Sequence, residues 1–498
     1  MAVDPLTLRS LAVLLLFGAL VVGTLHLLRK RLPLAPALAV SLAAAPATIL
    51  LTLFRGDPAA WAGEGSAMAS LLLAEASAGV GISAGLLAGG LSIAYLLSTR
   101  LAGPTYRSLM HMTAGTLLLF ILLLGANLFL FAVGVAIVLF CLSEYLRRSD
   151  DPGPIPRFLR RILNPALRAG ETQGYVASLF FLVSSLLVAL FLPLLPAAAS
   201  IAVLTFADPA AGFVGRKIGK RHWSHNPQKT KEGSIAFVLV AFYALLLLGL
   251  LFPPEQRIHP LLALLVAMSA ALFESLPLRI GDNLVLPAIA GMVLVSGAEA
   301  TLLSPSPHFW LVVFPLLLGV GGAAYLTRLL DGLGAGAAIF FGAIVYQASG
   351  SPFFFALLLL FGFAVALRGP SVKRSAASIV ANGAIPAFAA VLYPTAPALA
   401  MLLFAGSIGA AAADTAASRV SGPRRQWVAA PAGAGLMGLL LYGVLGSAGP
   451  GSLLLVATLG GGFGGWVVVR VTSRLPFISK EESNLFGTLA GAAAAAAL

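Results

Sequence analysis

Residues 235–252 read I-A-F-V-L-V-A-F-Y-A-L-L-L-L-G-L-L-F, a run without a single charge. Coiled as an α-helix, a run of about 17 to 25 such residues crosses the hydrocarbon core of a bilayer, roughly 30 Å thick. Comparable runs recur to the end of the 498-residue chain, in which 59% of residues are hydrophobic and 10% charged. Soluble domains use about 25% charged residues. The sequence therefore predicts an all-α polytopic integral membrane protein with about 18 transmembrane helices in two helical-bundle halves.

The net charge of +13 is concentrated in alternate connections between the apolar runs. The basic connections are Arg29–Arg31, Arg100–Arg107, Arg147–Arg168, Arg216–Lys231, Arg368–Arg374, Arg419–Arg425 and Arg470–Lys480. Lys and Arg in short loops mark the cytoplasmic side, so we expect these loops on the cytoplasmic face of a bacterial-type cytoplasmic membrane. Topology then explains the charge, and no nucleic-acid partner is expected. The sequence leaves the oligomeric state open.

The acidic residues that could carry chemistry also lie on the basic side, at helix ends or in loops. They are Asp208, Glu232, Asp282 and Asp414. A transporter is expected to hold ionisable groups or broken helices near the bilayer midplane. Clustering on one face instead favours a membrane enzyme that takes a soluble anionic substrate from the cytoplasm and a lipid from the bilayer. A transporter or flippase of isoprenoid lipids is the alternative from another class.

The richest motif is A-D-P-A-A-G-F-V-G-R-K-I-G-K-R-H-W at residues 207–223, followed by K-T-K-E-G-S at residues 229–234. Asp208 ends an apolar run, and a carboxylate there can hold a divalent cation. Glycines that let backbone amides approach an anion are Gly212, Gly215 and Gly219, and the cations beside them are Arg216, Lys217, Lys220 and Lys229. Glu232, Gly233 and Ser234 open the next helix, whose first amides favour a phosphate.

These features indicate a phosphate site, and a basic loop that only sets topology is the alternative. No G-x-x-x-x-G-K-[ST] loop occurs in the chain, which excludes an ordinary P-loop nucleotidase.

The motif resembles the nucleotide site of the CTP-dependent polyprenol kinases, the family of dolichol kinase and phytol kinase. Their pattern is Asp-x-x-Ala, then G-R-x-x-G, then K-S-x-E-G-S. The matching positions are Asp208, Ala211, Gly215, Arg216, Gly219, Lys229, Glu232, Gly233 and Ser234, with Thr230 for the usual Ser. Two flanking segments also match: Arg107, His111 and Gly115 resemble R-K-x-x-H-x-x-x-G, with Ser108 for Lys, and Glu274, Asp282, Asn283 and Pro287 resemble E-x(n)-D-N-x-x-x-P.

This resemblance implies a lipid kinase that uses CTP as phosphate donor and Mg²⁺ or another divalent cation. The acceptor would be an isoprenoid alcohol such as phytol, geranylgeraniol or a polyprenol. Asp208 and Asp282 would hold the metal, and Glu232 would orient Lys229 or activate the hydroxyl. His111 would join the catalytic set, with Arg107 and Asn283 near the nucleotide. The alternative enzyme is a CTP-dependent cytidylyltransferase, which leaves CMP on a lipid phosphate.

The second half resembles another membrane family, the one that contains phytyl-phosphate kinase. The match is carried by L-T-R-L-L-D-G-L-G-A-G-A-A at residues 326–338, V-A-N-G at residues 380–383 and A-D-T-A-A-S at residues 413–418. It implies phosphorylation of a prenyl monophosphate, with Asp414 as metal ligand and catalytic residue and with phosphate contacts from Arg374, Asn382 and Asn484. Ala416 and Arg419 depart from the family's Trp and Glu, and a structural or lipid-binding remnant is the alternative.

We therefore expect three segments: N-terminal transmembrane helices at residues 1–103, a polyprenol or phytol kinase-like domain at residues 104–300, and a phytyl-phosphate kinase-like domain at residues 301–498. The A-D-P-A-A of residues 207–211 recurs as A-D-T-A-A at residues 413–417. This repeat suggests the hypothesis that both halves carry one ancestral metal and nucleotide corner.

Overall fold

The computed structural model describes residues 103–147, 153–166, 176–278, 281–298, 306–368, 375–445, 451–473 and 479–496. The helices expected before Gly103 and the candidate Arg374 lie outside these residues. The chain divides into two compact units, Met1–Ser275 and Leu276–Leu498, each with its own core.

The described part of the first unit is helical apart from one hairpin. Its helices are α1 (Gly103–Leu124), α2 (Ala126–Arg147), α3 (Pro154–Leu163), α4 (Val176–Phe191), α5 (Leu194–Ala202), α6 (Asp208–Ile218), α7 (Lys231–Gly249) and α8 (Pro260–Ser275). A π-helical segment, Val203–Ala207, joins α5 to α6, and the short strands β1 (His222–Trp223) and β2 (Asn226–Thr230) pair antiparallel between α6 and α7.

Helix α7 shows how these helices distribute apolar surface. Its residues Ile235, Leu239, Tyr243 and Leu247 are each more than half exposed and fall at four-residue spacing, on one stripe of the helix. Phe237, Ala241 and Leu245 are fully buried, and α7 packs against α6 and α8. An exposed apolar stripe of this length is unusual on a soluble protein and is the surface expected against lipid.

The second unit is a bundle of nine described helices. They are α9 (Asp282–Ala298), α10 (Phe314–Leu326), α11 (Gly332–Ser349), α12 (Ser351–Arg368), α13 (Ala376–Val391), α14 (Pro397–Ala417), α15 (Pro423–Leu445), α16 (Gly451–Thr472) and α17 (Lys480–Ala496). Helices α14, α16 and α17 pack closely through small residues. A Cβ on Gly461 would lie 2.6 Å from the Cα of Gly406, so only glycine permits this approach.

Within the described residues, nine helical segments are long and apolar enough to cross a membrane, and five shorter apolar helices accompany them. This confirms an all-α membrane fold. The count of about 18 spans stays a prediction, in part because residues 1–102 lie outside the description.

Candidate functional site

Asp208 lies directly after an irregular turn of helix. Leu194–Ile218 runs as one membrane-length helix that is interrupted by the π segment Val203–Ala207. Single π turns occur frequently at functional sites, because the extra residue redirects the side chains that follow. The Asp208 carboxylate is partly exposed, and it has no hydrogen bond or ion pair with any residue that the structure describes. It is therefore available to a ligand.

His111 of α1 lies beside this turn. Its Nε2 is 3.2 Å from the Leu204 carbonyl oxygen, which can only accept, so Nε2 carries the hydrogen. The ring packs on Phe181 at 4.7 Å between centroids. The charges of Asp208 and Arg107 both act on the imidazole. Residues predicted from two separate motifs, Arg107 and His111 from one and Asp208 from the other, thus lie near each other.

Two further residues of the α1 motif, Gly115 and Ser108, lie against the π segment and α6. A Cβ on Gly115 would overlap Thr205 of the π segment, so glycine is required where the two helices meet. Nearer the start of α1, Arg216 Nη2 donates to the hydroxyl of Ser108 at 3.5 Å. Ser108, the departure from the family's Lys, therefore contacts the arginine of the G-R-x-x-G segment.

The Thr230 side chain packs against three glycines of the motif. Its hydroxyl caps α7 by accepting a hydrogen bond from Gly233 N at 3.1 Å. A Cβ on Gly215 or Gly219 would lie 2.9 or 2.7 Å from this same hydroxyl. The described role of these glycines is close packing of α6 against the start of α7. Their predicted approach to an anion, like that of Gly212, stays a prediction.

The first amides of α7 already have acceptors within the protein. Lys231 N donates to the Arg221 carbonyl at 2.8 Å, and Gly233 N donates to the Thr230 hydroxyl at 3.1 Å. A phosphate at this helix start would have to displace those bonds. The exposed side chains are the better phosphate ligands, namely Arg216, Lys217 and Lys220.

The Glu232 carboxylate bonds the loop between α6 and β1 and does not pair with Lys229. Its Oε2 accepts from Lys220 N at 3.3 Å and Arg221 N at 3.2 Å, and its Oε1 pairs with Arg221 Nε at 3.1 Å. Ser234 accepts a hydrogen bond from Trp223 Nε1 at 3.0 Å, which attaches the hairpin to α7.

Lys229 forms its ion pair with Glu274, at the end of α8. The Glu274 carboxylate is 4% exposed, whereas the Lys229 side chain is 27% exposed. Asn226 Nδ2 donates to the neighbouring Ser275 carbonyl at 3.1 Å, so the hairpin is attached to α8 at two points. The acid that orients Lys229 is therefore Glu274, which corrects the expectation for Glu232. Glu274 stands in the third matching segment, but the sequence did not indicate its partner.

A divalent cation fits this corner only through Asp208. Glu232 and Glu274 are already paired with cations, and within the described residues no three His, Cys, Asp or Glu side chains come together. Mg²⁺ is commonly held by one or two carboxylates together with substrate phosphates. One carboxylate, that of Asp208, is therefore suited to a cation whose other ligands are the phosphates of a bound nucleotide.

The other candidates belong to the second unit. Asp282 and Asn283 open α9, and Asp414 lies in the last turn of α14. Asn484 is buried in the second turn of α17, where its Oδ1 has no partner among the described residues. Asn382 lines an apolar pocket. The roles predicted for these residues stay predictions, as does the repeat of the Asp208 and Asp414 corners.

Two kinases are similar to part of the chain. "Probable phytol kinase 2, chloroplastic" of Oryza sativa subsp. japonica is 30% identical over 157 residues, which cover 30% of this chain and 45% of that protein. "CTP-dependent diacylglycerol kinase 1" of Schizosaccharomyces pombe is 28% identical over 147 residues, which cover 28% of this chain and 67% of that protein. The chain thus spans about half the length of the first relative.

No protein-family profile and no solved structure matches the chain. Both named relatives are kinases, and this supports the relationship to CTP-dependent lipid kinases that the motifs indicated. The fusion to a phytyl-phosphate kinase-like half stays a prediction.

Proposed function

We propose that the first unit is a CTP-dependent kinase that phosphorylates the hydroxyl group of a membrane lipid. The observation that carries this proposal is the corner where His111 bonds the turn before Asp208 and lies within the electrostatic influence of Asp208 and Arg107, beside the exposed cations at the end of α6. The two kinase relatives support it, and one of them is named as CTP-dependent. Phosphoryl transfer depends mainly on positioning and charge neutralisation, for which such a corner is suited.

In this proposal the cations bind the triphosphate in two ways. Arg216, Lys217 and Lys220 are exposed and can close on the phosphates. Lys229 is held by Glu274 and acts as a positioned charge. Asp208 would hold Mg²⁺ or another divalent cation, which would supply charge neutralisation to the triphosphate.

The proton of the lipid hydroxyl also needs an acceptor. Because His111 Nε2 donates to Leu204, Nδ1 of the neutral ring is left as an acceptor. We assign the removal of the hydroxyl proton to this nitrogen, with the Asp208 carboxylate as the nearby counter-charge.

The proposed acceptor is an isoprenoid alcohol, such as phytol, geranylgeraniol or a polyprenol. The resemblance to phytol kinases and the rice relative support this choice. Diacylglycerol is the second candidate, since the yeast relative is named for it. Comparing phytol, geranylgeraniol, a polyprenol and diacylglycerol in one assay decides between the two lipid classes.

Two radiolabels separate the kinase from a cytidylyltransferase. Purified protein in lipid vesicles is incubated with a lipid alcohol or with the matching lipid phosphate, and with either γ-labelled or α-labelled CTP, and the lipids are then resolved. A kinase moves the γ label to the lipid and releases CDP. A cytidylyltransferase acting on a lipid phosphate moves the α label and releases diphosphate. Lipid movement between leaflets without CTP consumption would support the flippase.

We further infer that the basic loop, residues 216–231, faces the cytoplasm, where CTP is made available to it. The second phosphorylation, of prenyl monophosphate to diphosphate by residues 301–498, rests on the resemblance of that half. If it occurs, alcohol would be converted to diphosphate without release of an amphiphilic intermediate.

A further inference from the structure

The second unit contains an apolar pocket lined by residues of α10, α11, α12, α13 and α14. Its described lining consists of Leu, Val, Ile, Phe, Ala and Gly side chains with three polar exceptions, Ser378, Asn382 and Thr415. No charged side chain is among the described lining residues. Val320, Leu358 and Phe361 are only half-buried, so one wall reaches the surface of the unit. The pocket is therefore open to an apolar ligand from outside.

The shape is that of a slot along the helices. Its lining extends from Phe354 to Ala364 on α12, which at 1.5 Å rise per residue is about 15 Å. On α13 the lining runs from Ser378 to Gly383. An apolar slot of this length, lined by aliphatic and phenylalanine side chains, suits a hydrocarbon chain.

The polar groups in this lining have unused hydrogen-bonding capacity. Asn382 Nδ2 donates to the Ser378 carbonyl at 2.8 Å, and because a carbonyl only accepts, this bond fixes the amide and leaves Oδ1 as an acceptor. Thr415 is only 6% exposed, yet its hydroxyl has no hydrogen bond with any described residue. Because Thr415 lines the pocket, its unpaired hydroxyl is available to a polar group of a bound ligand.

We propose that this pocket binds a single-chain lipid with a neutral hydroxyl head. The chain lies along α12, and the hydroxyl donates to Asn382 Oδ1 and accepts from Thr415. The uncharged lining disfavours a phosphate or carboxylate head, because a buried charge without a counter-charge is costly. This site lies in the second unit and does not depend on the kinase assignment of the first.

The test is photolabelling of the full chain in lipid nanodiscs, without nucleotide. The probe is a hexadecanol that carries a diazirine in its chain, and labelled residues are located by peptide mass spectrometry. We expect labels on pocket residues of α12 and α13, with at least fivefold stronger competition by unlabelled phytol than by phytyl phosphate. Labels confined to exposed residues outside the pocket, such as Leu311 and Leu326, or equal competition by the phosphate, would overturn the proposal.

Matched variants test the polar end of the pocket. Thr415→Val and Asn382→Leu should each reduce pocket labelling severalfold, and Ala364→Phe should block it by filling the slot. Thr458→Val is the control, because the Thr458 hydroxyl is bonded to the Leu454 carbonyl and lies outside the pocket. Folding of each variant is checked by its elution profile and thermal unfolding. Unchanged labelling in folded Thr415→Val and Asn382→Leu would refute the hydroxyl site.

A kinase-dead variant separates this site from the kinase. Asp208→Ala should label the pocket as wild type does, even if it transfers no phosphate. Loss of pocket labelling in Asp208→Ala would mean that the label depends on the first unit and would overturn an independent site.

Discussion

Lys229 and Glu274 lie 45 residues apart in the chain, and their ion pair attaches the hairpin to α8. Because Glu274 is almost completely buried, its charge needs the lysine as a counter-charge. Asp208 contrasts with this pair, since its carboxylate has no described partner and is free for a ligand. Among the three acidic residues of the motif region, Glu232 and Glu274 therefore hold the structure, and Asp208 is available for chemistry.

Replacing Lys229 by Met should destabilise the protein strongly. Removal of one partner of a buried pair leaves an uncompensated charge and costs about 3–5 kcal/mol. The measurement is thermal unfolding of the purified protein in detergent. The double variant Lys229→Met with Glu274→Leu should recover most of the loss, because no unpaired carboxylate remains. An unfolding temperature of Lys229→Met equal to wild type would show that the pair contributes nothing.

The sequence predicts the members of this corner better than their contacts. Asp208, Arg216 and Lys229 follow from residue type and spacing, because phosphate sites need carboxylates and cations near flexible backbone. The pairing of Lys229 with Glu274 rather than Glu232 depends on how α8 packs against the hairpin. A local pattern carries no information about that packing.

The Thr230 hydroxyl makes the main contacts at the start of α7. Thr230 caps the helix and also fills the space between Gly215, Gly219 and Gly233. The apolar pattern predicts the helix itself, and the K-T-x-E-G-S motif marks its start. The π turn before Asp208 has no recognisable signal in residues 203–207, since V-L-T-F-A continues an ordinary apolar run. Its existence follows from packing against α1 and α7.

Thr230→Val should lower stability by about 1 kcal/mol, because valine keeps the shape but removes the cap. Thr230→Ser keeps the hydroxyl and should retain both stability and phosphate transfer. Thermal unfolding and initial transfer rates of the two variants provide the comparison. If valine and serine behave alike, the hydroxyl is not the feature that matters at this position.

Gly219→Ala should cost about 1–3 kcal/mol, because its Cβ would lie 2.7 Å from Thr230 Oγ1 and force the loop to move. Gly322→Ala in α10 is the control, since no atom lies within 4 Å of the added Cβ. The readouts are thermal unfolding and CTP-dependent transfer. Equal behaviour of the two variants would contradict close packing at Gly219.

The two compact units divide after Ser275, so the E-x(n)-D-N-x-x-x-P match is split between them: Glu274 lies in the first unit, and Asp282 opens α9 in the second. Composition and periodicity predict the helical membrane fold, because every apolar run must satisfy its backbone internally. They do not predict where one core ends and the next begins. That boundary depends on contacts between helices distant in sequence.

If the second half is a kinase, Asp414→Ala should make the protein accumulate prenyl monophosphate from alcohol. Asp208→Ala should still convert supplied monophosphate to diphosphate, because the halves would act in succession. Thin-layer separation of labelled lipid phosphates measures both. A wild-type protein that stops at monophosphate, with no change in Asp414→Ala, would remove the second step and leave the first assignment standing.

The central claim is that Asp208 anchors CTP-dependent phosphoryl transfer to a lipid hydroxyl. Its most direct test is transfer of the γ label from CTP to a lipid alcohol by wild type, Asp208→Ala and the control Glu255→Ala, whose acid is exposed on the turn Pro254–Gln256. We predict lipid labelling by wild type and Glu255→Ala, and a loss of at least a hundredfold in a folded Asp208→Ala. Near wild-type labelling by Asp208→Ala, or labelling from α-labelled CTP, would contradict the claim.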